Sequence, residues 1–156
     1  MPLIRDKVAQ IGLNLPEPAN PVANFSAIRR DGDLLYISGQ IGIEQGQATH
    51  SGALGPADVE RGYEAARAAA LRVLAHISTV SENSGSVQAV LKVTVFIAAI
   101  PEFRYHSQVA NGASDLLVEV FGDAGRHARS AVGVSSLPLG AAVEVEALVR
   151  LAGEEA

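Results

Sequence analysis

Apolar positions recur along the chain with two periods, and the switches between them mark out the elements. Ile4, Val8 and Ile11 fall on one face of a short amphipathic helix over Pro2 to Leu13, which Gly12 ends and Pro16, Pro18 and Pro21 follow. Proline fixes its own φ and drives the preceding residue out of the helical region, so residues 14–21 are predicted to be extended. Alternation then takes over. Phe25 to Arg30 and Leu34 to Ser38 read as strands joined at Asp31-Gly32-Asp33, where Asp-Gly tolerates the positive φ that a tight hairpin needs. The second strand runs into Ser38-Gly39-Gln40-Ile41-Gly42, whose glycines suggest a bulge or a close backbone approach. Gln45 to Gly55 reads as a polar loop with room for one short strand.

Pro56 suits the first turn of a long helix, and Val59, Tyr63, Ala66, Ala70, Val73, Leu74 and Ile77 keep helical spacing up to about Val80. Its other face carries Glu60, Arg61, Glu64, Arg67 and Arg72, which reads as a solvated face with i, i+3 and i, i+4 pairs. From Val87 to Ile100 comes the central strand. Val87, Ala89, Leu91, Val93, Val95 and Ile97 form one apolar face, and Val90, Thr94, Phe96 and Ala98 make the other mostly apolar. Such a strand needs cover on both sides, helices on one and something else on the other, for which a partner subunit would serve. Pro101 opens a second helix with Phe103, Ala110, Ala113, Leu117 and Val120 inward and Gly122 at its end. Gly112 in mid-helix costs about 1 kcal/mol against Ala, so a close contact is expected there. Asn111 beside it is either a helix-surface amide or a polar group presented to a cleft.

The last stretch, His127 to Glu146, has two alternating runs around Leu137-Pro138-Leu139-Gly140 and reads as a β-hairpin. Ser130, Val132 and Val134 point one way and Arg129, Ala131, Gly133 and Ser135 the other, so Arg129 stands above nearly bare backbone. That leaves room for a small anion held bidentately by the guanidinium. A turn centred on Pro138 and Leu139 sets Gly133 opposite Glu144 and Arg129 opposite Leu148, which gives Arg129 and Glu144 a common face. The plainer alternative is a solvated ion pair on the outside of a sheet.

The order helix, strand, strand, helix, strand, helix, strand, strand predicts a single α+β domain. It comprises an N-terminal helix and arm over residues 1–20 and a core over residues 21–156, with one mixed sheet and both long helices on one face. A chain of 156 residues, 48% of them apolar and 19% charged, is long enough to bury a substantial core in one domain. Its positive mean hydropathy of +0.21 suggests further burial between subunits. The absence of cysteine removes disulfides, thiolate metal sites and a Cys nucleophile. A net charge of −5 disfavours sequence-independent nucleic-acid binding, which needs a basic surface. No signal peptide or membrane span is visible, so a cytoplasmic location is the default expectation.

His50, His76, His106 and His127 have neither the i, i+4 pairing nor the HExxH context of a metal site and read as surface or capping residues. P-loop, dinucleotide GxGxxG and GxSxG motifs are missing from the sequence. What remains is a polar set of Ser38, Asn111, Arg129 and Glu144.

Ser38-Gly39-Gln40 after an apolar strand, Lys92-Val93-Thr94-Val95-Phe96, Val109-Ala110-Asn111, then Arg129-Ser130, Leu137-Pro138 and Val143-Glu144-Val145-Glu146 follow one another at characteristic spacing. In this the chain resembles the reactive-intermediate deaminase superfamily, RidA/YjgF, from about residue 21 onward. The extra N-terminal helix and the NGASD and HARSAVGV phrases are similar to a longer branch often labelled endoribonuclease L-PSP-like. The resemblance implies a chorismate-mutase-like fold, a homotrimer with a central β-barrel, and ligand clefts between subunits. It also implies hydrolysis of 2-aminoacrylate-type enamines and imines to 2-keto acids and ammonia, without cofactor or metal. By position, Arg129 would bind the substrate carboxylate and Glu144 would orient or deprotonate water. Ser38 and Asn111 would line the cleft, Ser38 as a hydrogen-bond donor. Two positions depart from the family pattern: Ala131 stands where a Cys is usual, though its carbonyl can still accept, and Phe25 stands where a cleft tyrosine is usual, which removes a hydroxyl. The alternatives are a non-catalytic trimer that binds small carboxylates or a regulatory partner, and an endoribonuclease or translation inhibitor.

Overall fold

The computed structural model describes residues 2–153, and its order of elements follows the sequence pattern closely. Helix α1 (Ile4–Gln10) is followed by strands β1 (Ile28–Asp31), β2 (Leu34–Gln40), β3 (Ile43–Glu44) and β4 (Gln47–Ala48). Helix α2 (Val59–Val80), strand β5 (Val87–Ala98), helix α3 (His106–Phe121) and strands β6 (Ala128–Val134) and β7 (Val143–Leu151) complete the chain. The main sheet runs β1-β2-β7-β5-β6. It is mixed: β5 and β6 are parallel, every other pair antiparallel. Helices α2 and α3 pack side by side on one face, and the opposite face carries no element among the described residues. No helix among them is long and apolar enough to cross a membrane.

The predicted hairpin over His127 to Glu146 does not form. Strand β6 is reached from β5 through α3, a crossover that makes it parallel to β5, whereas β7 takes the other side of β5 as an antiparallel neighbour. The central strand thus separates the two runs that local alternation would have joined. Pro138–Gly140 does turn, with Leu139 at φ 56° and Gly140 at φ 67°. The connection crosses the end of β5, held by Ala98 N–H to Ala142 O (2.9 Å), Ala142 N–H to His50 O (3.0 Å) and Gly52 N–H to Gly140 O (2.9 Å). Through β5, Gly133 aligns with Val143 by way of Ile97, and Arg129 with Ala147 by way of Val93. That is one residue away from the expected register, so the faces are exchanged. Arg129 lies on the helix-covered face and Glu144 on the open one; within one chain they do not share a face.

Strand β5 contains two irregularities against β7, between Val87 and Ala89 and between Val90 and Lys92. They shift the alternation, so Val87, Val90, Val93, Val95 and Ile97 are the buried set while Ala89 and Leu91 are only half-buried. Lys92, Thr94 and Phe96 look out from the open face. The polar loop holds two short strands rather than one: β3 and β4 pair across Gln45 and Gly46, both at positive φ (51° and 76°), the geometry of a two-residue hairpin turn. Phe25 precedes β1 instead of opening it. Residues 101–105 form a turn before α3, with Phe103 buried edge-on against Tyr105 and His106.

Helix α2 is more enclosed than its charge pattern predicted. Besides Ala66, Ala70, Val73 and Ile77, a second stripe of Ala65, Ala69, Arg72 and His76 is buried. Arg72 is 8% and His76 4% exposed, so neither belongs to a solvated surface. Burial lowers both pKa values, with Arg72 adding to the effect at His76. Arg72 Nε has no hydrogen-bond partner among the described residues.

The α2–α3 interface explains the mid-helix glycine. A Cβ at Gly112 would land on the Tyr63 carbonyl oxygen and press on Ala66, while one at Gly62 would strike Leu54 and Val109. The helices therefore meet backbone to side chain at two glycines, and Tyr63–Asp115 (2.7 Å) and Arg67–Glu119 (2.9 Å) bridge the rim. Gly112→Ala, which improves intrinsic helix propensity by about 1 kcal/mol, is expected instead to destabilise the fold by about 2 kcal/mol or more through overpacking. Chemical denaturation of the two proteins measures the difference, and a stabilised variant would refute the contact.

Candidate functional site

Arg129 projects from β6, at the edge of the sheet, across the bare strand face toward α3. Its Nη1 donates to Asn111 Oδ1 (2.8 Å) and Ser114 Oγ (3.1 Å), and its Nη2 to the Ser107 carbonyl (3.4 Å). Asn111 and Ser114 are three residues apart and so lie on one helical face, where both reach the same guanidinium. Asn111 is therefore engaged with Arg129 rather than being a free surface amide. The Nε–H and one Nη2–H of Arg129 have no protein partner among the described residues. Two donors of the guanidinium are thus left for an anion such as a carboxylate.

Ala131 and Gly133 continue this face. Ala131 is half-buried and packs against the core. Gly133 lies under the His106 ring: a Cβ there would come within 2.9 Å of His106 Nε2. His106 is thus a polar neighbour of the site that the sequence pattern did not single out. Ser114 and His127 are two more. Ser114 Oγ is 2.8 Å from His127 Nε2, and His127 Nδ1 is 2.6 Å from the Gly125 carbonyl. Desolvation lowers the His127 pKa, Arg129 lowers it further, and the Gly125 bond works the other way. The one available signal in the sequence was the spacing His127-Ala128-Arg129, which puts the imidazole and guanidinium on the same side of a strand.

The other half of the predicted set is on the open face. Glu144 aligns with Phe96 on β5, and on its β2 side a Cβ at Gly39 would collide with the Glu144 carboxylate. Gly39 therefore makes room for the carboxylate, at the point where β2 departs from regular register with β7 between Ile37 and Gln40. Ser38 is next to it. Its hydroxyl donates to the Ser26 carbonyl at 2.7 Å, so its proton is committed and its lone pairs remain. That bond, with Ser38 N–H to Ala27 O at 2.9 Å, ties the segment carrying Phe25 to the bulge. Phe25 itself is 55% exposed. A shallow depression beside these residues is lined by Tyr36, Ser38, Lys92, Thr94, Glu146 and Leu148.

The two halves differ electrostatically. Half-burial pushes the Glu144 carboxyl up from its ordinary value, and the neighbouring Glu146 carboxylate raises it further; Arg129, on the other side of the sheet, does not figure among the causes. A carboxyl raised in this way gives up a proton less readily, and once ionised is a better base for water.

The model of the Endoribonuclease L-PSP family matches residues 16–151. The chain belongs to this family, the RidA/YjgF proteins. Protein TCP17 of Trypanosoma cruzi is 44% identical over 144 residues, 91% of this chain and 90% of that protein. The 2-iminobutanoate/2-iminopropanoate deaminase of Dermatophagoides farinae is 30% identical over 138 residues, 88% of this chain and 93% of that one. Among solved structures, Atu1372 of Agrobacterium tumefaciens, a protein of unknown function, superposes with a TM-score of 0.87 at 36% identity and covers 96% of this chain and 94% of its own. In this RidA-family chain the mixed sheet with two long helices on one face is thus the family fold.

The raised Glu144 pKa has a sign that can be checked. Its folded-state value lies above the ordinary 4.5, so the contribution is favourable below that pH and is lost as pH rises through the folded value. Carboxyl-carbon NMR should place the Glu144 midpoint above 4.5, and Glu146→Gln should move it down; Glu144→Gln should stabilise the protein at neutral pH but not at acid pH. A midpoint at or below the ordinary value would refute the assignment.

Proposed function

We propose that this RidA-family protein hydrolyses imines and enamines derived from small 2-amino acids to 2-keto acids and ammonia. The observation that carries the reading is the Arg129 guanidinium, fixed by Asn111, Ser114 and the Ser107 carbonyl with two N–H groups to spare. The likeness to a 2-iminobutanoate/2-iminopropanoate deaminase supports the same ligand chemistry. Seated on Arg129, the substrate carboxylate holds the neighbouring C=N carbon in one place, which removes much of the entropy of an encounter with water.

An iminium carbon is already electrophilic. Glu144 takes a proton from water as the oxygen adds to that carbon, giving a tetrahedral carbinolamine, and returns it to nitrogen; as the C–N bond breaks and ammonia leaves, the Glu144 carboxylate takes the hydroxyl proton and the oxygen becomes the keto carbonyl. An enamine first gains a proton at carbon to reach the same iminium. No electron transfer is involved.

Arg129 and Glu144 occupy opposite faces of one sheet, so a site that uses both has to draw them from two copies of the chain. We propose the homotrimer with a central barrel as that assembly: open sheet faces turn inward, and Arg129, Asn111 and Ala131 of one subunit meet Ser38, Phe25 and Glu144 of its neighbour. Phe25 in place of a hydroxyl-bearing side chain makes the cleft less polar and favours imines with an apolar side chain over the smallest ones. The cytoplasm, where the pyridoxal-phosphate enzymes that release such imines work, is the proposed compartment.

Purified protein should accelerate pyruvate formation from enzymatically generated 2-aminoacrylate. Arg129→Ala should lower the rate at least about 100-fold and Glu144→Gln by a similar factor, the usual range for losing a positioned acid–base group. A wild-type rate no faster than buffer, with 2-aminoacrylate and with the imine of a longer amino acid, would overturn the reading. Ligand binding without turnover would instead identify a carboxylate-binding trimer, and RNA cleavage lost on Glu144→Gln would identify a nuclease. Light scattering should give the mass of a trimer.

A further inference from the structure

Arginine side chains have many rotamers, and a guanidinium that seats a carboxylate has to be held before the ligand arrives. In this chain the holding groups form one directed series. The Gly125 carbonyl can only accept, so the 2.6 Å contact puts the His127 proton on Nδ1. Nε2 of the neutral ring is then an acceptor, and it takes the Ser114 hydroxyl proton at 2.8 Å. With its proton directed there, Ser114 Oγ presents its lone pairs to Arg129 Nη1 at 3.1 Å, and Asn111 Oδ1 takes the other Nη1 proton at 2.8 Å. Each donor and acceptor in the series has one role.

The series is anchored on rigid parts. Gly125 is buried, and a Cβ there would meet the backbone of Leu117 and Val118 on α3, so its carbonyl is fixed relative to the helix that carries Ser114. We infer that Ser114 and His127 are positioning residues that lock Arg129 in its carboxylate-binding orientation, and that the lock holds only while the His127 imidazole is neutral. The inference rests on the reading of Arg129 as the carboxylate's seat.

Protonation would turn Nε2 into a donor. The Ser114 oxygen would then receive two cationic donors, the imidazolium and the guanidinium, and its own proton would lose its acceptor. Like charges converging on one hydroxyl repel, and Arg129 accordingly holds the His127 pKa down, in addition to the larger effect of desolvation. Among the described residues no carboxylate offsets this. On α3, Asp115 is bonded to the Tyr63 hydroxyl; in the turn before β6, Asp123 pairs at 3.4 Å with Arg126, and both are largely exposed. Neither acidic group figures among the influences on the ring.

The test uses the intact protein and sodium pyruvate as the probe. Calorimetry at about pH 7.5 should show Ser114→Ala weakening pyruvate binding about tenfold, in line with the cost of a misaligned seat, and Ser114→Thr, which keeps the hydroxyl, restoring most of it. Wild-type affinity should fall as the pH is lowered from about 7.5 through the His127 titration, which desolvation moves below the ordinary histidine value. His127→Gln, whose amide oxygen can accept from Ser114 but does not titrate, should bind about threefold more weakly and lose that part of the pH dependence. Glu144 is present in every variant, so the difference from wild type isolates His127.

If Arg129→Ala abolishes binding while Ser114→Ala and His127→Gln follow the wild-type curve, the lock is refuted and the seat stands. If Arg129→Ala binds pyruvate as well as wild type, the seat falls and the lock with it. A ligand-free measurement guards against weak binding or a poorly folded variant. In proton–nitrogen NMR of the free protein, His127 should carry its proton on Nδ1, and the Arg129 Nη signals should be resolved near neutrality and merge on acidification or in Ser114→Ala. Arg129 signals indifferent to both would refute the lock.

Discussion

The arrangement of this protein depends on one pairing: β5 takes β6 on one side in parallel and β7 on the other antiparallel. Every buried residue of the sheet's centre is aligned through that strand. Because β5 stands between them, the two C-terminal strands are set by two separate ladders instead of by a turn. The phase of those ladders sends Arg129 toward α3 and Glu144 away from it. Had β6 and β7 paired directly about Pro138 and Leu139, the two side chains would have faced each other and one subunit could have formed the whole site.

That same point divides what the sequence discloses from what it does not. Residue alternation and helical spacing identify nearly every element, and Gly112 in mid-helix announces a close approach that the Tyr63 carbonyl supplies. These are local signals, carried by residues a few positions apart. The partner of a strand is a non-local property, and the run around Pro138–Gly140 has the turn residues of a hairpin while serving to cross the end of another strand. Arg72 and His76 fail to read correctly for a related reason: a helical wheel ranks the faces of one helix but does not report how many neighbours enclose it. Of the candidate site, Arg129 and Asn111 are brought into contact as a single unit, and Ser38 and Glu144 are brought beside one glycine. A serine on a helix and a lone histidine such as His106 carry no pattern until the fold sets them around the guanidinium, and the i, i+2 spacing of His127 from Arg129 is the single trace of this cluster in the sequence.

The halves of the candidate site prepare for opposite tasks. Around Arg129 the polar groups are satisfied in a definite order, which restricts the guanidinium before any ligand is present. Around Glu144 the protein withholds partners: Gly39 supplies space, Glu146 supplies like charge, and half-burial supplies desolvation. One half is built to bind an anion and the other to hold a proton more tightly than an ordinary carboxylate does. The RidA fold keeps these environments apart with the thickness of a sheet, so neither charge neutralises the other inside a subunit.

Strand β6 is also the end of the sheet, and the two ends are unlike. At the far side β1 is short and carries Arg29, Arg30 and Asp31, charges of the kind that discourage another strand from adding to an edge. The β6 edge has small and uncharged residues, apart from Arg129, whose charge is drawn inward to α3. Seven residues long and weakly guarded, it makes a lone subunit a template for strand addition. The segment that presents the guanidinium is thus also the one whose solubility depends on being covered.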